Sequence, residues 1–332
     1  MIYNKIIKIK SQIFKELFNS LKNLNSVQKI FIFFLILVFC FVILGNLKNS
    51  KNNLENFDNN NILFKDNYFE LKKNDDIYDK FYSNYYDHIS SNQQRSNFEI
   101  GLIKEIGNTN INTNILDVGC GTGDHVNKLY NKDYGVIGLD KSPDMISKAK
   151  EKYPECDFKV GDILKNNIFE YNSFSHILCL GRTIYLIKDK NTFFENCYSL
   201  LEDGGYLIVN LTKRDDYNIF ISNSNNKTLY NSEKYGKKNT EHIIKFNKDI
   251  EYVCNYKNNE DLNNDMEEPY YKIVEKFQNF ETHSIRKNIC ELYMPKISTI
   301  VNIAKSKGFK LIDKKSYNDS GYRNEYLYVF QK

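Results

Sequence analysis

The stretch from residue 114 to 123 reads Asn-Ile-Leu-Asp-Val-Gly-Cys-Gly-Thr-Gly, and no other part of the chain limits the fold as tightly. Ile115, Leu116 and Val118 give the continuous apolar run of a strand buried on both faces, with Asp117 as its one charge. Gly119, Gly121 and Gly123 then form a turn without Cβ atoms, against which a ligand can lie. Residues 124–130 follow as a helix. A strand, a glycine turn and a helix in that order place a ligand at the carboxyl edge of a parallel sheet. The dinucleotide fingerprint G-x-G-x-x-G needs glycine at 124, where the chain has Asp124, and no Gly-Lys-Ser/Thr phosphate loop follows. An acidic residue before the turn opposes a pyrophosphate and suits a ligand that carries an ammonium group.

The spacing beyond the turn extends the pattern. Residues 136–139 form a second apolar strand that ends at Asp140, 17 residues past Gly123, near where an acidic group can hold a ribose diol. Ser142-Pro143 reads as a helix N-cap followed by proline at the first helical position, with the helix running through Lys150. Further strands are expected at 158–160, ending at Gly161-Asp162, at 174–180, and at 206–211 after Leu201-Glu202-Asp203-Gly204-Gly205. Strands alternating with helices predict a doubly wound α/β fold with a mostly parallel sheet.

These four spaced motifs resemble the S-adenosylmethionine-dependent methyltransferases with a Rossmann-like fold, over about residues 77–212. The resemblance is weaker in the tail, where 296–307, 309–313 and 326–330 match that family's last helix and final two strands, completing a seven-stranded sheet. The resemblance implies S-adenosyl-L-methionine as cofactor. The loop Gly119, Cys120, Gly121 and Gly123 would cradle its methionine part, with Asp117 near the amino group. Asp140 would hold the ribose hydroxyls with Lys141 beside it, Met145 would pack on the adenine, and Asp162 and Ile163 would meet its edge and ring. Gly181 and Arg182 would border the reacting methyl. Asp140 and Asp162 can also be read as strand-end caps, and Met145 as a core residue.

Methyl transfer requires alignment and exclusion of water more than an acid/base pair, because a sulfonium carries its own leaving group. Tyr78, Phe81, Tyr82, Tyr85 and Tyr86 fall on one helical face before the first strand. This resembles the tyrosine-bearing segment that closes over the cofactor in many small-molecule methyltransferases, with Tyr82 and Tyr86 as the lid; a plain amphipathic helix is the other reading. Tyr185 offers a second tyrosine at the mouth. His283, expected in a polar strand over 280–286, is the histidine best placed to act as a base, and an exposed strand histidine is the alternative. His125 and His176 read as structural.

Residues 30–47 are an 18-residue stretch, uninterruptedly apolar to Leu44, that reads as a single membrane anchor preceded by a basic segment over 1–29. Lysines flank the anchor on both sides, so its orientation stays open. Residues 48–76 read as an Asn/Lys-rich tether and 77–332 as the methyltransferase domain. Within that domain, 213–294 alternates like an antiparallel β insertion, expected to cap the acceptor. Seven cysteines without C-x-x-C spacing argue against zinc and against a full disulfide framework. A net charge of +4 with interspersed signs gives no nucleic-acid footprint. The expected function is methyl transfer to a nitrogen or oxygen of a small-molecule or lipid-linked acceptor. A non-catalytic adenosyl-binding scaffold and an aminopropyltransferase on the same fold are the alternatives.

Overall fold

The computed structural model describes residues 68–90, 93–106, 113–132, 134–214, 241–258, 268–318 and 325–332. The expected basic segment, the membrane anchor over 30–47 and most of the tether lie outside the described residues. Among the described residues no helix is long and apolar enough to cross a membrane.

The described chain opens with strand β1 (Phe69–Lys73), a 3-10 turn (Asn74–Ile77), α1 (Lys80–Ser90) and α2 (Gln93–Lys104). The alternating stretch follows as β2 (Asn114–Val118), α3 (Asp124–Tyr130), β3 (Gly135–Asp140), α4 (Pro143–Lys152), β4 (Asp157–Val160), β5 (Phe174–Cys179), α5 (Thr183–Leu186), α6 (Lys190–Leu200) and β6 (Leu201–Thr212). Strands β7 (Glu241–Lys245), β8 (Ile250–Asn258), β9 (Tyr271–Asn279) and β10 (Ser284–Leu292) come next. Helix α7 (Ile297–Ser306), β11 (Lys310–Ser316) and β12 (Glu325–Gln331) complete the chain.

Seven strands form one sheet in the order β11-β12-β6-β5-β2-β3-β4. Strands β4, β3, β2, β5 and β6 run parallel, while β12 pairs antiparallel with both β6 and β11. Helices cover both faces, so Ile115, Leu116, Ile177 and Leu178 on the two central strands lose all contact with solvent. Val126 and Leu129 of α3 and Ala149 of α4 are equally buried against this sheet, each larger side chain contributing about 1.5–3 kcal/mol. The start of α4 follows its local chemistry: the Ser142 hydroxyl accepts from the Met145 N–H at 3.0 Å, with Pro143 in the first turn. The chain order reverses direction across β2 and β5, and open α/β sheets offer their ligand crevice at such a point.

The second sheet has the order β1-β10-β9-β8-β7 and is antiparallel apart from β1, which lies parallel to β10. Its inner face carries Tyr252, Ile273, Glu275 and Phe277 against α1, where the Phe277 ring lies 5.0 Å from Phe81 and 5.5 Å from Tyr85. The expected antiparallel insertion is therefore present, and β1 adds an edge strand drawn from the stretch read as a tether. The strand expected over 280–286 begins instead at Ser284. Asn279 accepts from the N–H groups of Glu281 and Thr282, each at 2.9 Å, and so folds 280–283 into a turn.

Candidate active site

A cleft of about 1180 Å³ opens at the carboxyl ends of β2, β3 and β4 and is closed over by the segment from β1 to α1 and by the end of β10. Small-ligand sites run to roughly 300–1,000 Å³, so this one has room for two ligands side by side.

The glycine turn forms its floor. The N–H groups of Gly119 and Cys120 both donate to the Leu139 carbonyl, at 2.7 and 3.1 Å, which folds the turn onto β3. Gly119 and Gly121 line the cleft, and a Cβ on Gly121 would stand 3.2 Å from the Tyr86 ring. Gly123 does not line it. Its φ of +87° and the 2.6 Å that would separate a Cβ from the Phe158 ring make it a packing glycine, which lets α3 approach β4. Cys120 also turns away: its sulfur lies against the backbone of Gly138, and burial pushes its thiol pKa well up.

Asp140 faces the turn and braces it. One carboxylate oxygen accepts from the Gly121 N–H and the other from the Ser142 N–H, each at 2.9 Å, while the residue borders the cleft. Each oxygen keeps a second lone pair for a ligand hydroxyl. Burial raises the Asp140 pKa against these two bonds. Asp117 lies buried under the turn, and its Oδ2 has no hydrogen-bond partner. Burial pushes its pKa up to about 6. An orphaned buried carboxylate oxygen is costly, and an ammonium group arriving at the turn is a fitting partner.

Met145 and Ile163 are buried where they line the cleft, and Asp162 joins them with Oδ1 on the Leu164 N–H at 3.0 Å. Lys141 stands at the rim, where its ammonium bridges Asp162 at 3.3 Å to Asp75 of the 3-10 turn at 2.7 Å. The covering segment is tied down twice more: the Ser142 hydroxyl donates to the Tyr78 carbonyl, and Asp87 on α1 takes Thr122 and, at 2.5 Å, Lys152.

The other end of the cleft is aromatic and cationic. Gly181, at φ +60°, turns the chain at the end of β5 and delivers Arg182 and Thr183 to the cleft wall. The Arg182 guanidinium lies close enough to Tyr78, Tyr82 and Tyr86 to oppose the rise that burial imposes on their hydroxyls, and Tyr86 still reaches about 12. Tyr86 lines the cleft. Tyr82 is buried behind it and donates to Glu275 at 2.9 Å, so it joins α1 to the second sheet and does not face a ligand. Tyr185 is displaced from its expected place at the mouth. It is buried, and its hydroxyl accepts from the Thr212 N–H at 2.6 Å and donates to the Thr212 carbonyl at 3.3 Å. His283 lies exposed in the β9–β10 turn, outside the cleft lining.

Among the lining residues that were not expected site residues, Tyr78 and Lys190 stand out. Tyr78 precedes α1 and borders the cleft beside Tyr86; it shared the aromatic stripe that pointed to the lid. Lys190, at the start of α6, donates to the carbonyls of Ile187 at 2.7 Å and Tyr293 at 2.9 Å, and burial lowers it to about 7. Nothing in its local sequence announces a buried lysine.

A family model of a methyltransferase domain matches residues 109–278. The chain is 33% identical over 129 residues to the methyltransferase-named protein 235L of Invertebrate iridescent virus 6, covering 34% of this chain and 47% of that one. It is 28% identical over 141 residues to demethylmenaquinone methyltransferase of Oceanobacillus iheyensis, covering 40% and 58%. The chain thus matches about half the length of these curated relatives. A crystal structure of a S-adenosylmethionine-dependent methyltransferase from Clostridium acetobutylicum shares the fold, with a TM-score of 0.56 at 20% identity over 76% of this chain and 97% of that one. With the glycine turn, Asp140 and the seven-stranded sheet in place, the match over half of its length puts this chain in the family of S-adenosylmethionine-dependent methyltransferases with a Rossmann-like fold.

Proposed function

We propose that this protein transfers a methyl group from S-adenosylmethionine to a nitrogen or oxygen of a small-molecule or lipid-linked acceptor, from a domain held at a membrane by residues 30–47. The observation that carries the reading is Asp140, whose carboxylate braces the glycine turn and borders the cleft at once. The residues present fit the cofactor. Asp140 would hold the ribose diol, the buried bare oxygen of Asp117 would supply the anionic partner for an ammonium group, and Met145 and Ile163 would pack on an aromatic base. When bound, the cofactor supplies an electrophilic methyl on a sulfonium. Tyr86 and Tyr78 cover the turn and keep water from that end of the cleft. Thr183 and Arg182 form the wall on which an acceptor rests.

The first test is titration of the full-length chain with S-adenosylmethionine. Saturable binding is expected, weakened about thirty- to a hundredfold in Asp140→Ala as its charge-assisted hydrogen bonds go. Equal affinity of that variant would overturn the reading. Incubation with methyl-labelled cofactor and a cell extract separates an enzyme from a scaffold, because a scaffold leaves the extract unlabelled. Membrane tethering is tested on the expressed full-length chain, which should stay with the membrane pellet through an alkaline carbonate wash; release into the wash would exclude an integral anchor.

A further inference from the structure

We infer that the acceptor presents a carboxylate, held by Arg182 and Tyr86, and that the product is a methyl ester. The inference rests on the methyl-transfer reading and narrows it. Arg182 carries a guanidinium that stays charged at every physiological pH and favours planar anions. Beside it, Tyr86 lines the cleft with a hydroxyl that makes no hydrogen bond to any described residue. A guanidinium and a free hydroxyl on one wall are donors suited to the two oxygens of a carboxylate, and they disfavour an ammonium.

The surroundings of this wall point the same way, because the described groups beside Arg182 and Tyr86 are hydroxyl donors and carboxylates already bonded to other side chains. Tyr78 and Tyr86 have their hydroxyl pKa raised by burial and remain protonated donors at neutral pH. Four carboxylates of the cover and the second sheet are engaged, while Asp76 on the 3-10 turn and Asp144 at the start of α4 also line the cleft. Asp79 takes both oxygens to Arg286 at 2.9 Å, and Lys72 lies 3.4 Å away. Glu275 accepts from Tyr82, Tyr252 and Asn288 at 2.8–3.0 Å. Glu291 pairs with Lys272 at 3.3 Å, and Asp75 with Lys141 at 2.7 Å. At the base of the wall, Asp189 caps α6 and Lys190 is tied to two carbonyls. Among the histidines, His125 sits on Glu99, His176 on the Ile106 carbonyl, and His283 in its remote turn. An alcohol needs a base to become a nucleophile, whereas a carboxylate is ionised beforehand.

The step then balances without a proton. A carboxylate oxygen forms the new O–CH3 bond as the S–CH3 bond breaks, and the bonding pair stays on sulfur. A sulfonium and a carboxylate become a neutral thioether and a neutral ester.

The experiment uses the chemistry of the product, so the acceptor need not be known. Full-length protein is incubated with methyl-labelled S-adenosylmethionine and the small-molecule and lipid fractions of a cell extract, and the products are then treated with mild alkali. Methyl esters release volatile labelled methanol, whereas N-methyl and ether O-methyl products retain the label. Release of most of the incorporated label is expected. In Arg182→Gln, incorporation should fall about ten- to a hundredfold, the range for losing a charged hydrogen bond, while affinity for S-adenosylhomocysteine stays within about threefold. Alkali-stable label overturns the ester and leaves methyl transfer standing. Undiminished incorporation in Arg182→Gln overturns the role of Arg182. Saturable cofactor binding with no label in any fraction overturns methyl transfer and the ester with it.

Discussion

Asp117 and Asp140 are two carboxylates on neighbouring strands with opposite bonding states. Asp140 has a backbone N–H on each oxygen, whereas Asp117 keeps one buried oxygen bare. The difference makes Asp117 the pH-sensitive member. Its pKa is raised to about 6 by burial, so between the unfolded value near 4 and pH 6 the folded chain holds a proton that the unfolded chain has released. In that window this group makes the protein less stable as pH rises. A bound ammonium group reverses the balance, because it favours the ionised carboxylate. Affinity for S-adenosylmethionine is therefore expected to strengthen as pH rises from 5 to 7, by about tenfold, and then level off. Calorimetric titration across that range checks it. Asp117→Asn should flatten most of the profile and bind more weakly at pH 7; an unchanged slope would place the titration elsewhere. The bare oxygen is invisible in sequence, where Asp117 reads only as the one charge of an apolar run and Asp140 as an acid at a strand end. Gly123 shows the same limit: its lack of a side chain serves Phe158, and only the fold brings the two together.

Among the elements, the segment from β1 to α1 depends on one side chain of the second sheet. Arg286 on β10 is buried, bonds both oxygens of Asp79 at 2.9 Å, donates to the Ile77 carbonyl at 2.9 Å and to Asn288 at 3.0 Å, and lies 4.7 Å from the Phe81 ring. Asp79 is partly exposed and keeps Lys72 at 3.4 Å, so losing Arg286 costs less than the roughly 3–5 kcal/mol of breaking a fully buried pair. Arg286→Ala should lower the unfolding free energy by about 2–3 kcal/mol, read as a lower urea midpoint at constant m, and should weaken cofactor binding as well, because the covering segment loses its hold. A variant that loses stability but keeps full affinity would show that the cleft closes without this tie. The central strands were legible because a parallel strand buried on both faces is an unbroken apolar run, as in Ile115–Val118 with its single Asp117. Strand β1 was not, since five residues of weak alternation pair with Ile285–Ile289 more than two hundred positions later, and no turn joins them. Tyr185 was misplaced for a similar reason. Its partner is the backbone of Thr212 on β6, a contact that sequence periodicity does not encode.

At the scale of the whole molecule, the cleft is shared between the carboxyl edge of the seven-stranded sheet and a cover held to the second sheet, and this predicts a strong coupling of ligand to stability. The floor residues Gly119, Gly121 and Asp140 belong to the first sheet and its turn, while Tyr78, Tyr86 and Glu291 belong to the cover and to β10. Unfolding separates these groups, so the unfolded chain keeps no site. A ligand that binds only the folded state adds about 2.7 kcal/mol at one hundred times its Kd. For a domain of this size each kcal/mol moves the melting temperature by about 2–4 °C, so S-adenosylhomocysteine at that concentration should raise it by about 5–10 °C. Asp140→Ala, if its affinity falls a hundredfold, sits near its own Kd at the same concentration and should shift by only about 1 °C. Scanning calorimetry of the full-length chain with and without ligand reads both numbers. Equal shifts in the two proteins would mean that the ligand stabilises the chain from somewhere other than this cleft. A wild-type chain that gains nothing would mean that the two sheets do not close on the ligand together.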